Sequence, residues 1–177
     1  ITFQTKEITT ILEKYDMKIS KLLVDGGMTQ NNTFCQMLSD SLQKEIINLL
    51  KGTSSMICCA ESCTGGMVAS ALTDLPGSST IFDRGFVTYS NNAKIDMLGV
   101  DEQTLKSFGA VSEEVAQEMA KGALDRSQAS LSISITGIAG PGGSDFKPEG
   151  RVCFGFALSN GTCTAQTVEF GAIGRSQ

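Results

Sequence analysis

The chain has 177 residues, with 14 lysines and arginines against 19 aspartates and glutamates and a formal charge of −5. That length suits one domain with a substantial core plus an appendage, and the acidic balance with scattered basic residues argues against a nucleic-acid surface. Histidine is absent, which removes Ser-His-Asp, Cys-His and histidine-based zinc chemistry, so any nucleophile must be activated by lysine, a carboxylate, tyrosine or the backbone dipole.

In chain order, residues 3–16 read as a polar-rich helix with apolar positions at Ile8, Ile11, Leu12 and Tyr15. Residues 21–24 read as a strand stopped by Asp25-Gly26-Gly27, and 30–51 as a long helix. The run 56–60 reads as a buried strand, 64–74 as a helix, 76–79 as a turn and 81–89 as a strand. Helices are expected over 91–98, 101–107 and 112–126, the last opened by Ser112 with Glu113 and Glu114 in its first turn. Strict alternation over 131–136 makes a strand with one apolar face. A glycine- and proline-rich loop covers 137–150, and 151–158 with 162–170 make a hairpin around Ser159-Asn160-Gly161. Strands alternating with helices imply an α/β sheet covered on both faces.

The six cysteines are 35, 58, 59, 63, 153 and 163, with no C-x-x-C pair. They read as mostly reduced and buried in a cytoplasmic protein, although Cys153 and Cys163, on neighbouring strands, are placed so that they could face each other. Nothing reads as a leader or as a membrane-spanning run.

Three loops at strand ends carry polar groups, and ligands of open α/β sheets bind at the carboxyl ends of strands. The first, Glu61-Ser62-Cys63-Thr64-Gly65-Gly66, places hydroxyls and a thiol on a strand-to-helix turn. Such a turn either binds an anion or presents a nucleophile through its N–H groups, or is a plain N-cap. The second runs from Thr88 and Tyr89 to Lys94. Lys94 falls in the first turn of a helix, where the dipole and partial burial lower a lysine's pKa and suit it as a general base; the alternative is a solvated lysine, and for Tyr89 a packing residue. The third, from Thr136 and Gly137 to Gly143, is neither a Walker A loop nor a dinucleotide fingerprint. Its glycines either admit a phosphate close to the backbone or make a flexible connection.

Taken together, Ala60 to Gly66, Leu75-Pro76-Gly77-Ser78-Ser79, Gly85 to Asn91 with Lys94, Gly109 to Glu113 and Thr136 to Pro141 resemble the C-terminal domain of the CinA (competence/damage-inducible) family, over roughly 43–177. The resemblance implies a three-layer α/β/α sandwich and hydrolysis of the carboxamide of nicotinamide mononucleotide (NMN) to nicotinate mononucleotide and ammonia, with no cofactor and no metal. It implies Ser62 as nucleophile, Lys94 as its base and Tyr89 as a proton relay or orienting hydroxyl. Ser79, Thr136 and Arg175 would hold the nucleotide, with Glu61, Thr64, Gly65 and Gly137 completing the substrate site. Gly174 stands where the family's late motif has aspartate, so Arg175 matches by position only. Backbone N–H groups around Thr64 to Gly66 are expected to stabilise the oxyanion. Cys63 is the rival nucleophile, since a thiol at a helix start can have a lowered pKa. The family also implies a homo-oligomer, while the charge pattern and the lack of a membrane-spanning run argue against nucleic-acid or membrane partners.

Residues 1–42 depart from that family. Leu22 to Asn31, with Phe3 to Glu7, resemble the C-terminal ATP-binding lobe of glycerol kinase. The expected organisation is therefore a glycerol-kinase-like helix-strand appendage at 1–42, without kinase activity, and an amidohydrolase domain at 43–177 that lacks the family's final helix. The alternative function is a catalytically silent nucleotide-binding module.

Overall fold

The computed structural model describes residues 54–172 apart from Leu75 and Asp145. The elements expected over 3–16, 21–24 and 30–51, the appendage at 1–42 and Arg175 lie outside the described residues.

Strand β1 (Ile57–Glu61) is buried along its whole length, as the apolar run Ile57 to Ala60 requires of a central strand. Helix α1 (Met67–Thr73) follows, then a short 3-10 turn (Ser78–Thr80) and strand β2 (Phe82–Val87). Helices α2 (Asn91–Leu98), α3 (Glu102–Phe108) and α4 (Glu113–Asp125) come next, each with a side-chain N-cap, from Ser90, Asp101 and Ser112. Strands β3 (Leu131–Gly137), β4 (Arg151–Leu158) and β5 (Cys163–Glu169) close the described fold.

The sheet order is β2-β1-β3-β4-β5. β1 lies parallel to both β2 and β3, while β3, β4 and β5 are successively antiparallel. The two faces follow the pleat. Cys58 and Ala60 point into a core made with Leu98, Val100, Leu105, Val115, Met119 and Ala123, so α2, α3 and α4 share one face. Cys59 points the other way, toward Ala69 of α1 beside Gly85. Helices on both faces give the expected three-layer α/β/α arrangement.

Helix α4 lies close to the sheet because its inner stripe is largely small: Ala116, Ala120 and Ala123 beside Val115 and Met119. Gly155 of β4 sits beneath it, where an added Cβ would collide with the Ala116 carbonyl and come within 2.5 Å of Ser134 Oγ. Ser134 satisfies its buried hydroxyl by donating to the Ala116 carbonyl at 2.5 Å, as burial of a polar group demands.

Among the boundaries that moved, three bear on the carboxyl ends of the strands. β1 runs one residue further, so Glu61 is the last residue of the strand. The helix expected from residue 64 begins at Met67, because Gly65 and Gly66 take φ of +57° and +103°, a left-handed conformation outside the helix. β2 ends at Val87, leaving Thr88 and Tyr89 to turn away from the ladder. The hairpin register also pairs Cys153 with Thr167 and Cys163 with Ala157, so these two thiols do not face each other. Both are free, and Cys163 is exposed rather than buried.

Candidate functional site

β1 has β2 on one side and β3 on the other, and its connection to α1 and that of β2 to α2 go to opposite faces of the sheet. The crevice that such a reversal opens lies at the carboxyl ends of the strands. There the structure brings Ser62 and Lys94 together: Lys94 Nζ lies 3.0 Å from Ser62 Oγ. Ser62 follows β1 directly, and its N–H bonds to the Ile135 carbonyl of β3 at 2.9 Å. Lys94 is the fourth residue of α2, a helix started by Ser90, whose hydroxyl accepts from the Ala93 N–H.

Lys94 is 1 % exposed. Its ammonium nitrogen also meets the Thr88 carbonyl at 2.8 Å and the Tyr89 carbonyl at 3.4 Å. None of the ion pairs among the described residues includes it. Burial pushes the Lys94 pKa below the ordinary lysine value of 10.5, and only the neighbouring Cys63 opposes the shift. Lys94 Nζ donates to Ser62 Oγ and to the two carbonyls, three oxygen acceptors for a group that carries up to three N–H donors.

Cys63 is less suited to attack. Burial pushes its thiol up to about 11, against the lowering effects of Lys94 and of the Cys63 and Thr64 N–H groups that face the sulfur. At neutral pH it is a protonated, weakly nucleophilic thiol, contrary to what a helix-start position suggested. The turn is packed closely here: a Cβ on Gly137 would come within 3.0 Å of the Cys63 sulfur and 2.9 Å of the Arg151 carbonyl. Gly137 is thus the residue that lets this turn pack against β3 and β4.

The turn's N–H groups are not free, as they were expected to be. Glu61, which is wholly buried, accepts from Gly66 N–H (3.0 Å), Val68 N–H (3.1 Å) and Ala69 N–H (2.8 Å). Gly65 N–H donates to the Ser62 carbonyl at 3.1 Å. The positive end of α1 is therefore neutralised by the protein's own carboxylate, and the Glu61 carboxylate is turned to the helix. Thr64 is buried, and its Oγ1 has no hydrogen-bonding partner.

The other expected positions are dispersed. Thr136 is buried at the end of β3, and its hydroxyl donates to the Ala110 carbonyl at 2.8 Å. The Tyr89 side chain is 58 % exposed beside the crevice, while its carbonyl is the group that meets Lys94. Ser79 is exposed in the turn that enters β2. That turn is at the amino ends of the strands, so a strand length of roughly 20 Å separates it from Ser62 within one chain. The fold does not bring Ser79 to this crevice.

Sequence reasoning missed the Thr88 carbonyl, because a backbone acceptor leaves no residue signature. It also missed Lys147, whose ammonium donates to the Phe108 and Val111 carbonyls at 2.5 Å and straps the 138–150 loop to the start of α4. Next to that strap is an open cleft of about 420 Å³, lined by Ser112, Glu113, Glu114, Lys147, Arg151 and Thr167 among others. It includes neither Ser62 nor Lys94, and its carboxylates offset its cations.

The CinA C-terminal domain family matches residues 39–177, and the C-terminal domain of the FGGY family of carbohydrate kinases matches 1–56. The chain is 44% identical over 171 residues to a CinA-like protein of Chlorobium limicola, covering 94% of this chain and 39% of that one. It is 54% identical over 121 residues to the nicotinamide-nucleotide amidohydrolase PncC of Escherichia coli K12, covering 68% of this chain and 73% of the relative. The crystal structure of the competence/damage inducible protein CihA from Agrobacterium tumefaciens superposes with a TM-score of 0.75 at 49% identity, over 78% of this chain and 84% of that one. The chain spans 39% and 28% of the length of its CinA-like relatives from Chlorobium limicola and Chloroherpeton thalassium. With the matching fold and the matched span taken together, the chain belongs to the CinA C-terminal domain family.

Proposed function

We propose that this chain is a nicotinamide-nucleotide amidohydrolase that hydrolyses the carboxamide of NMN to nicotinate mononucleotide and ammonia. The observation that carries the reading is the 3.0 Å approach of a buried lysine to Ser62, at a position where burial lowers that lysine's pKa. Relatives named nicotinamide-nucleotide amidohydrolase, from Escherichia coli and Enterobacter agglomerans at 54% and 53% identity, support the substrate.

In this mechanism Lys94 takes the proton of Ser62 as Oγ attacks the carboxamide carbon. The carbonyl oxygen becomes an oxyanion. A thiol sulfur is a weak acceptor, so the Cys63 and Thr64 N–H groups now facing the Cys63 sulfur are the donors that an oxyanion at Ser62 recruits. Protonated Lys94 returns its proton to the departing nitrogen, ammonia leaves, and a nicotinoyl ester remains on Ser62. Water, deprotonated by Lys94, hydrolyses the ester. Tyr89, exposed at the rim with its carbonyl on Lys94, orients the substrate or relays a proton through its hydroxyl. Thr136 and Arg175 serve the nucleotide portion of the substrate in this reading.

The domain organisation belongs to the same proposal: a carbohydrate-kinase-like piece over 1–42 precedes the amidohydrolase domain, and the enzyme works as a homo-oligomer. Incubation of the purified chain with NMN tests the function. Ammonia and nicotinate mononucleotide are expected in equal amounts, with Lys94→Ala lowering the rate by a factor of about 10² or more. Retention of NMN without release of ammonia would favour a silent nucleotide-binding module instead.

A further inference from the structure

Glu61 joins three structural elements at the point where the proposed nucleophile and base meet. Its carboxylate holds the N–H groups of Gly66, Val68 and Ala69 at the start of α1. Its carbonyl accepts from the Thr88 N–H at 2.7 Å and from Thr88 Oγ1 at 3.4 Å, just beyond β2. Its peptide bond leads directly to Ser62, while the carbonyl of Thr88 holds Lys94 Nζ at 2.8 Å. Both members of the Ser62–Lys94 pair are thus suspended from one buried residue, Ser62 by a covalent bond and Lys94 through Thr88.

A carboxylate in this place is more than a cap for a seven-residue helix. Wholly buried charge is tolerated only when its lone pairs are satisfied, and here three backbone N–H groups satisfy it at 2.8–3.1 Å. No other standard side chain of that length offers two acceptor oxygens: glutamine offers one, and its amide N–H₂ would face N–H groups. The Ser62–Gly66 turn contains two glycines in left-handed conformations, so it has little stiffness of its own. Fixing α1 to the end of β1 closes the turn and sets the direction in which Ser62 Oγ points.

We infer that Glu61 is a positioning residue for the nucleophile, holding Ser62 in register with Lys94 by clamping α1 to the end of β1, and not a ligand of the substrate. The inference rests on the reading of Ser62 as a nucleophile. The test compares native chain with Glu61→Gln in three measurements: thermal unfolding, the rate of labelling of Ser62 by a fluorophosphonate, and kcat and KM on NMN. Misplacement of a reacting atom by about 1 Å costs roughly 10²-fold. Glu61→Gln is therefore expected to label and to turn over about a hundredfold more slowly, with KM within about threefold of native.

A merely structural role would lower the labelled fraction and leave the labelling rate of the folded fraction unchanged, which would overturn the proposal. So would a raised KM with native kcat, the pattern of a substrate ligand. If Glu61→Gln does not fold, Glu61→Asp keeps the charge but withdraws it by one methylene, and the same criteria apply. Native protein that labels at Ser62 but does not turn over NMN defeats the substrate assignment alone. Native protein that does neither defeats the nucleophile and this inference with it.

Discussion

At the scale of single residues, the decisive feature is a lysine kept from water. Lys94 has its pKa lowered by burial, and the reaction needs it neutral. The sign follows directly: below its pKa the ammonium cannot accept the Ser62 proton, and above it the amine can. Activity is therefore expected to rise with pH through the Lys94 pKa, with a midpoint below the ordinary 10.5. A pH–rate profile of kcat/KM checks this, and a profile with no ascending limb anywhere below pH 10.5 would count against Lys94 as base. Cys63, pushed up to about 11, is expected to react with iodoacetamide more slowly than an ordinary thiol at neutral pH. Cys63→Ala is expected to retain most of the activity.

The absence of histidine left few bases, and the resemblance to the CinA C-terminal domain family implied Lys94 as the base for Ser62. The sequence did not show what Glu61 does. A carboxylate five to eight residues ahead of the N–H groups it holds does not fit the three-residue spacing of a capping box. Ser79 stands at the opposite end of the sheet from Ser62, because the turn that holds it enters β2 whereas Ser62 leaves β1.

At the scale of elements, the reversal of connection at β1 makes the site. α1 goes to one face and α2 to the other, so the loops after β1 and β2 open a crevice between them. Periodicity was enough to place the strands and helices of the described region within a few residues, because β1 is apolar from Ile57 to Ala60, β3 alternates, and α4 has a capped start and an apolar stripe. The boundaries that moved beside the crevice are those governed by glycine conformation at Gly65 and Gly66 and by the departure of Thr88 from the ladder. Close packing of α4 on the sheet leads to two stability predictions. Met119→Ala, at a fully buried position, is expected to cost about 2–5 kcal/mol in urea unfolding. Gly155→Ala forces a Cβ against the Ala116 carbonyl and is expected to cost about 1–3 kcal/mol. Near-native unfolding midpoints for both would mean that α4 is not seated as described.

At the scale of the whole molecule, the chain carries two family signatures, one over 1–56 and one over 39–177. Only the second has its chemistry in the described residues. The kinase-like segment was legible from Leu22 to Asn31 as a resemblance, while periodicity alone said only helix, strand and helix. The purified chain is expected not to phosphorylate glycerol with ATP, and appearance of glycerol phosphate in that assay would reopen the role of residues 1–42. Among the described residues no helix is long and apolar enough to cross a membrane.

The central claim is that Ser62, activated by Lys94, forms the bond to the substrate. Rapid acid quenching of the chain during turnover of NMN, followed by peptide mass spectrometry, tests it most directly. The account predicts a nicotinoyl adduct on Ser62, absent from Ser62→Ala, which also releases no ammonia. An adduct on Cys63, or undiminished ammonia release by Ser62→Ala, would contradict it.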